Sequence, residues 1–359
     1  ASKQNETFVE RLQNLGDGGL VPKYTFRNCD FLDLERLPDG IFHISDSAFK
    51  GCINLALTSL PKELVLIGWF TFTGCSALAL ESLPEGLASI GEYAFAGCSA
   101  LALTSLPDNI VMIPSKTFLG CSALALKSLP ERCFFIDQYA FSGCSALALT
   151  SLPEGLTEIE PSTFSHCTKL ALKSLPEGLT SIGDRAFLLC SALALESLPE
   201  GLTSIGRYAF SSCSALELTS LPNKLTSIGE KVFWNCKELV LKSLPDGITD
   251  IEDGAFHGCS ALALTSLPNK LTSIGEHAFS GCSALALTSL PENLTTILYS
   301  AFQDCRSLAL TSLPEKLASI GSRAFFNCSA IRITIPSQTL RNYTIYEDAF
   351  KGCTLVSFE

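Results

Sequence analysis

Apolar residues recur along this chain with a period of 23 residues, and residues 76–98, SALALESLPEGLASIGEYAFAGC, show the unit. Leu78 and Leu80 alternate with Ala79, which is the period of a strand. Pro84 ends that strand, because it lacks the N–H that the next ladder bond would need. Leu87-Ala-Ser-Ile90 reads as a second short extended stretch, and Gly91 breaks it. Glu92 then opens a single helical turn, where its charge favours the N-terminal amides. Phe95 and Cys98 lie three apart on the inward face of that turn. No such unit can bury its apolar set alone, so neighbours must stack around one continuous core.

Cysteine marks the period most plainly. It recurs at intervals of 23 from Cys29 to Cys328, and Cys353 follows after 25. A Phe stands three residues before each of these cysteines, so Phe141 with Cys144 and Phe187 with Cys190 repeat the pair Phe95 and Cys98. An Ile stands eight before each from Cys52 on, and Leu-Pro recurs from Leu37-Pro38 to Leu313-Pro314. Three segments follow. Residues 1–29 form an N-terminal cap, with a helix over 6–15 (Phe8, Leu12, Leu15) and a partial repeat. Residues 30–328 form thirteen 23-residue repeats. Residues 329–359 hold a longer, more β-branched last repeat, Ile331-Arg-Ile333-Thr-Ile335-Pro336, and a C-terminal cap.

The pattern resembles that of leucine-rich repeats, and more narrowly the treponemal or BspA-like class, whose motif runs L-x-x-I-x-L-P-x-x-L-x-x-I-x-x-x-A-F-x-x-C. Leu83-Pro-Glu-Gly-Leu87-Ala-Ser-Ile90-Gly-Glu-Tyr-Ala94-Phe95-Ala-Gly-Cys98 matches its second half. The first half departs, with Leu80 in the third place from Leu78 and Glu81 in the fourth. The resemblance implies a right-handed leucine-rich-repeat superhelix, mainly short parallel strands with one helical turn per repeat. It also implies a surface-exposed or secreted protein that binds other macromolecules, and it names no ligand.

Composition narrows the partners. Apolar residues make up 47% and charged residues 17%, which excludes a disordered or low-complexity chain. A net charge of −11 argues against nucleic acid and anionic membranes, since both need a cationic surface. No apolar run is long enough to span a bilayer, so membrane insertion is not expected. The first residues carry neither Met nor a signal-peptide apolar region, as a trimmed chain would. The expected partner is a protein or a glycan, and the chain itself is expected to be a monomer.

Sixteen cysteines invite a metal or disulfide reading. No C-x-x-C pair occurs, so no metal is expected. Rungs of a parallel stack lie about 4.8 Å apart, whereas a disulfide wants Cβ atoms about 3.5–4.5 Å apart. Equivalent cysteines are therefore expected as buried, reduced thiols that act as small hydrophobes. Cys133 takes the place of a core Leu and is also expected to pack. His43, His166, His257 and His277 fall at different places in the repeat and show no ligand spacing. Carboxylates follow Pro in a row, from Glu85 and Asp108 to Glu131, Glu154, Glu177 and Glu200. Stacking makes that row an acidic ridge, either solvated or open to calcium. Asn5, Asn293, Asn327 and Asn342 stand in glycosylation sequons. No catalytic constellation, phosphate loop or dinucleotide fingerprint is present, so neither an enzyme nor a cofactor is expected.

One slot breaks the regularity. Between the second Leu and the Ile most repeats carry two small polar residues, such as Thr180-Ser181 and Thr203-Ser204. Three N-terminal repeats carry Val65-Leu66, Val111-Met112 and Phe134-Phe135 instead. The first of them adds Trp69-Phe70. Adjacent rungs bring these residues into one apolar patch, and such patches mark partner sites. The N-terminal cap folding over the same face would also account for them. Adjacent residues of an extended stretch point to opposite sides, so one Phe of the pair is expected outward and the other inward beside Cys133. A second candidate surface is the polar row Thr58, Glu81, Thr104 and Lys127. The expected function is a non-catalytic binding module, used in adhesion or host interaction. A spacer or stalk without a ligand is the alternative.

Overall fold

A computed structural model describes residues 19–335 and 344–358. The helix expected over 6–15, Asn5, Asn342 and Pro336 lie outside the described residues. The chain divides into two compact units, Ala1–Leu172 (unit 1) and Lys173–Glu359 (unit 2). Each is a parallel β-solenoid.

In unit 1, strands β1 (Leu20–Val21), β2 (His43–Ile44), β3 (Leu66–Ile67) and β4 (Ser89–Ile90) form one parallel sheet in chain order. Strands β5 (Met112–Ile113) and β6 (Phe135–Ile136) pair in the same sense, and β7 (Glu158–Ile159) follows. In unit 2, β8 (Ser181–Ile182) pairs with β9 (Ser204–Ile205). Strands β10 (Ser227–Ile228), β11 (Asp250–Ile251), β12 (Ser273–Ile274), β13 (Thr296–Ile297) and β14 (Ser319–Ile320) continue the ladder. In the last repeat, β16 (Thr344–Ile345) pairs with β14, while β15 (Arg332–Ile335) pairs with β17 (Leu355–Phe358). Register is one repeat throughout: Ile44 lies against Ile67, and Ile67 against Ile90.

Each repeat sends the same side chains inward. Leu78, Leu80, Leu87, Ile90, Phe95 and Cys98 are all buried. The Phe rings stack in register, with centroids 5.5 Å apart for Phe72 and Phe95 and 5.6 Å for Phe95 and Phe118. Their planes differ by 12° and 2°, which at that separation means offset stacking. In unit 2 the Phe187 and Phe210 centroids are also 5.5 Å apart. Phe is required here because the ring spans the whole distance to its equivalent one rung on.

Cysteine has its own reason. The Phe72 carbonyl accepts two hydrogen bonds, one from Cys75 N–H at 3.0 Å and one from the Cys98 thiol of the next repeat at 3.1 Å. The Phe187 carbonyl does the same with Cys190 N–H and the Cys213 thiol, both at 3.1 Å. A buried carbonyl has two lone pairs to satisfy, and Cys supplies a donor at the cost of one small apolar side chain. The cysteines are thiols, all buried except Cys29 and Cys353, which are partly exposed. Burial pushes the Cys52 thiol up to about 12 and the Cys133 thiol up to about 11.

Two local expectations are corrected. The single helical turn does not form. From residue 93 on, alternate N–H groups leave the turn: Tyr93, Phe95 and Gly97 donate to the carbonyls of Ser115, Thr117 and Leu119 one rung ahead. Ala94, Ala96 and Cys98 donate three residues back. A helix needs every N–H for its own chain, and here the next rung takes half of them. Tyr93 and Gly97 also sit in the left-handed region, at φ 55° and 75°, which a right-handed helix cannot include. The result is a run of tight turns. The other correction concerns Leu78, Ala79 and Leu80, which form no strand. Bonds to the next rung are sparse there, one being Ala102 N–H to the Leu80 carbonyl at 3.2 Å. Only the β-branched last repeat turns this segment into the four-residue strand β15, in line with the preference of such residues for sheets.

Candidate interaction surface

The strand segment of each repeat carries two consecutive residues between two buried ones. In the sixth rung Cys133 and Ile136 are buried, while Phe134 is 58% exposed and Phe135 half-buried. In the third, Leu64 and Ile67 are buried, Val65 is exposed and Leu66 half-buried. Both middle residues therefore lie on the outer side. The inward Phe expected beside Cys133 is not there: the segment bends, so alternation holds over two residues and not over four. Cys133 is fully buried. Its thiol faces the Phe135 carbonyl at 3.7 Å.

Pairing of equivalent residues sets these side chains in rows. Phe134 N–H donates to the Val111 carbonyl at 3.0 Å, and Met112 lies against Phe135 in register. Val111 and Met112 are exposed. Val65 N–H donates to the Phe42 carbonyl at 2.8 Å, which brings in a residue not singled out by sequence. Phe42 is 47% exposed, and Leu20 of β1, opposite His43, is exposed in the neighbouring row. Phe42 holds the slot two before Ile44, so its signal was present in the repeat alignment. The row is broken once, by the small pair Ala88 and Ser89.

Trp69 and Phe70 lie one turn further along. Trp69 is 57% exposed, and its backbone N–H donates to the Asp46 carboxylate at 3.0 Å. That carboxylate also holds the Lys23 ammonium at 2.6 Å. The hydrogen bond from Lys23 keeps the Asp46 carboxyl below its usual range. Gly91 lets the indole lie flat on the next rung, because a methyl there would come within 2.6 Å of Trp69 Cδ1. Phe70 belongs to a different row. It stacks on Tyr93 at 4.6 Å with the Lys50 ammonium 4.8 Å over its ring. Lys116 continues the row, bonded to the Tyr93 hydroxyl at 2.6 Å and 5.2 Å over the Tyr139 ring. The Trp69 ring is thus offered to solvent, and Phe70 is held among its neighbours.

On the other edge of the strand row runs the carboxylate ridge. Asp39, Glu85, Asp108, Glu131 and Glu154 are all exposed. A shallow cleft of about 690 Å³ opens there, lined by Asp108, Asn109, Glu131 and Arg132 among others. The polar row Thr58, Glu81, Thr104 and Lys127 is exposed and mixed in charge. Among the described residues no His, Cys, Asp or Glu converge as a metal site, and no helix is long and apolar enough to cross a membrane.

Comparison with known proteins agrees with this architecture. A leucine-rich repeat protein from Bacteroides ovatus ATCC 8483 is 26% identical, with 95% of this chain and 87% of that one covered and a TM-score of 0.63. A leucine rich cell surface protein from Faecalibacterium prausnitzii A2-165 is also 26% identical, covering 91% and 88%, with a TM-score of 0.53. A leucine rich repeat protein of T. pallidum is 36% identical over 45% of this chain and 77% of that one, with a TM-score of 0.38. No curated protein is significantly similar. The family model for the BspA type leucine rich repeat region matches residues 20–148, 112–240 and 241–357. The chain belongs to the BspA-type leucine-rich repeat family.

Proposed function

We propose that the chain is a non-catalytic binding module of a surface or secreted protein, and that its strand face in unit 1 docks a protein partner. One observation carries the reading: apolar side chains stand exposed in register at Phe42, Val65, Val111, Met112 and Phe134, where the other repeats place small polar residues. The ladder does not ask for them, and the core does not contain them. Contiguous apolar surface is uncommon on soluble proteins outside interaction sites. The F. prausnitzii relative is a cell surface protein, which supports the location. An alternative is a stalk that holds another domain away from a cell.

The test is a panel of immobilised extracellular proteins and glycans, probed with the chain and with the triple variant Phe42→Ser, Val65→Ser, Phe134→Ser. Binding to a protein that the variant loses, at unchanged melting temperature, is the expected result. A stalk would bind nothing on the panel. A ligand held equally by chain and variant would move the site elsewhere.

A further inference from the structure

The apolar row has an acidic ridge along one edge, and that charge selects among partners. In unit 1 the residue after each Leu-Pro is Asp39, Lys62, Glu85, Asp108, Glu131 and Glu154, so one lysine interrupts five carboxylates. The ridge is close to the row. Glu131 precedes Phe134 by three residues in the same repeat, and one rung on, a methyl added to Gly155, next to Glu154, would lie 3.7 Å from Phe134 Cβ. The cleft of about 690 Å³ lies on the ridge, lined by Ser105, Asp108, Ser128 and Glu131 among others, in the two repeats that carry Val111-Met112 and Phe134-Phe135. It holds two carboxylates, Asp108 and Glu131, against one cation, Arg132. Neither carboxylate is in an ion pair among the described residues. Across the row the edge is mixed: Asp46, Glu92 and Asp137 stand there with Lys23, Lys50 and Lys116, the last two against aromatic rings at 4.8 Å from Phe70 and 4.9 Å from Tyr93.

We propose that this face takes a cationic amphipathic segment of a partner protein, with apolar side chains on the row and Lys or Arg on the Asp108–Glu131 side. The proposal rests on the docking reading above and adds the partner's charge to it. Complementary charge at the edge of an apolar patch steers association and rejects partners of like sign. A second copy of this chain fits less well, because both copies would carry a net charge of −11. Acidic partners and anionic lipid headgroups are rejected for the same reason.

The probe is a short synthetic peptide of alternating Leu and Lys, set against a Leu and Glu peptide and a Ser and Lys peptide. Unit 1 supplies the reporter, since Trp69 is the sole Trp of a Trp234→Phe chain. The Leu and Lys peptide is expected to bind at least about tenfold more tightly than either control, consistent with a few favourable charge contacts. Phe134→Ser should weaken it about tenfold, and Asp108→Asn with Glu131→Gln should remove most of its advantage over the Leu and Glu peptide. Glu177→Gln with Glu200→Gln, on the ridge of unit 2, should change nothing. If the Leu and Lys and Leu and Glu peptides bind alike and both lose affinity with Phe134→Ser, the charge selection is wrong while the docking face stands. Binding insensitive to Phe134→Ser, or equally sensitive to the Glu177 and Glu200 pair, would mean attraction to net charge alone and would overturn the proposal. So would no binding by any peptide, or a dimer of the chain that Phe134→Ser dissolves.

Discussion

The strand faces of the two units share one backbone and carry opposite chemistry. In unit 1, Val65 N–H reaches the Phe42 carbonyl at 2.8 Å; in unit 2, Thr203 N–H reaches the Thr180 carbonyl at 2.9 Å. The side chains then part. Thr203 Oγ1 donates to the same Thr180 carbonyl at 3.1 Å, and Thr295 Oγ1 to the Thr272 carbonyl at 3.0 Å. Threonine on this face thus adds a second donor to a ladder that is already made. Valine and phenylalanine add none and remain exposed. The ladder tolerates either, so this slot is free of the fold's demands. On the docking reading proposed above, its occupants in unit 1 serve a partner.

The largest effect should come from what the units have in common. Phe141→Ala in unit 1 and Phe210→Ala in unit 2 each remove a ring stacked on both sides. Each should destabilise its unit by about 3–5 kcal/mol, the usual cost of emptying a buried aromatic site. Trp69 and Trp234 give one fluorescent reporter per unit, so chemical denaturation of single-Trp chains checks the two separately. Equal losses would show that the two cores are equivalent. A loss under about 1 kcal/mol in either would break the idea that the ring column holds both units together.

Thiol loss should cost less. Cys144→Ala removes the donor to the Phe118 carbonyl and little volume, so about 1–2 kcal/mol is expected. Burial of these thiols predicts slow chemistry. A thiol raised well above its ordinary value by burial, as Cys144 and Cys213 are, offers almost no thiolate at neutral pH. In a native alkylation series Cys29 of unit 1 and Cys353 of unit 2 should react first, and all 16 thiols only after denaturation. Early labelling of Cys144 or Cys213, or a count near zero under denaturant, would contradict the ladder.

How much of this was legible depends on the range of the interaction. Phe95 and Cys98 were readable because a column of identical neighbours repeats its own signal at every rung. The turn from Glu92 to Cys98 was misread for the opposite reason. Its spacing looks helical locally, but Tyr93, Phe95 and Gly97 give their N–H groups to a segment one repeat away. Phe134 and Phe135 show a third case. Their slot departs visibly from the repeat, yet alternation over four residues fails where the strand itself, Phe135–Ile136, has two. Phe42 fills the same slot one rung before Val65, and its departure from the small polar pair is legible in the repeat alone.

Exchange of the strand-face residues should have a small effect on stability and sharpen the comparison most directly. Phe134→Ser should shift stability by no more than about 0.5 kcal/mol, as exposed substitutions usually do, and Phe135→Ser by about 1 kcal/mol at most. The reverse graft, Thr203→Val with Thr226→Phe, should be equally mild in unit 2, because the backbone bonds there do not depend on the hydroxyls. Peptide binding gained by the graft would show that the row is sufficient. A loss of several kcal/mol on Phe135→Ser would return that ring to the core.

The smallest effect should separate the units by pH. His257 in unit 2 stacks on Trp234 with centroids 3.9 Å apart and meets His277 edge-on at 6.0 Å. Its Nδ1 is buried without a hydrogen-bond partner. Burial, and then the neighbouring His277, lower its pKa below the ordinary imidazole value. The unfolded chain therefore takes up the proton first. The stabilisation is full above the unfolded pKa of about 6.5 and is lost as pH falls through it toward the folded value. The equivalent slots of unit 1 hold no imidazole, among them Lys50, Thr73, Ala96 and Ser142. Denaturation followed by Trp234 should thus weaken modestly between about pH 7 and about pH 5, with less change when followed by Trp69. His257→Gln should flatten the Trp234 profile and leave the Trp69 profile alone. If both reporters lose stability in parallel, and His257→Gln alters neither, the acid response belongs to the carboxylates of both units and not to this imidazole.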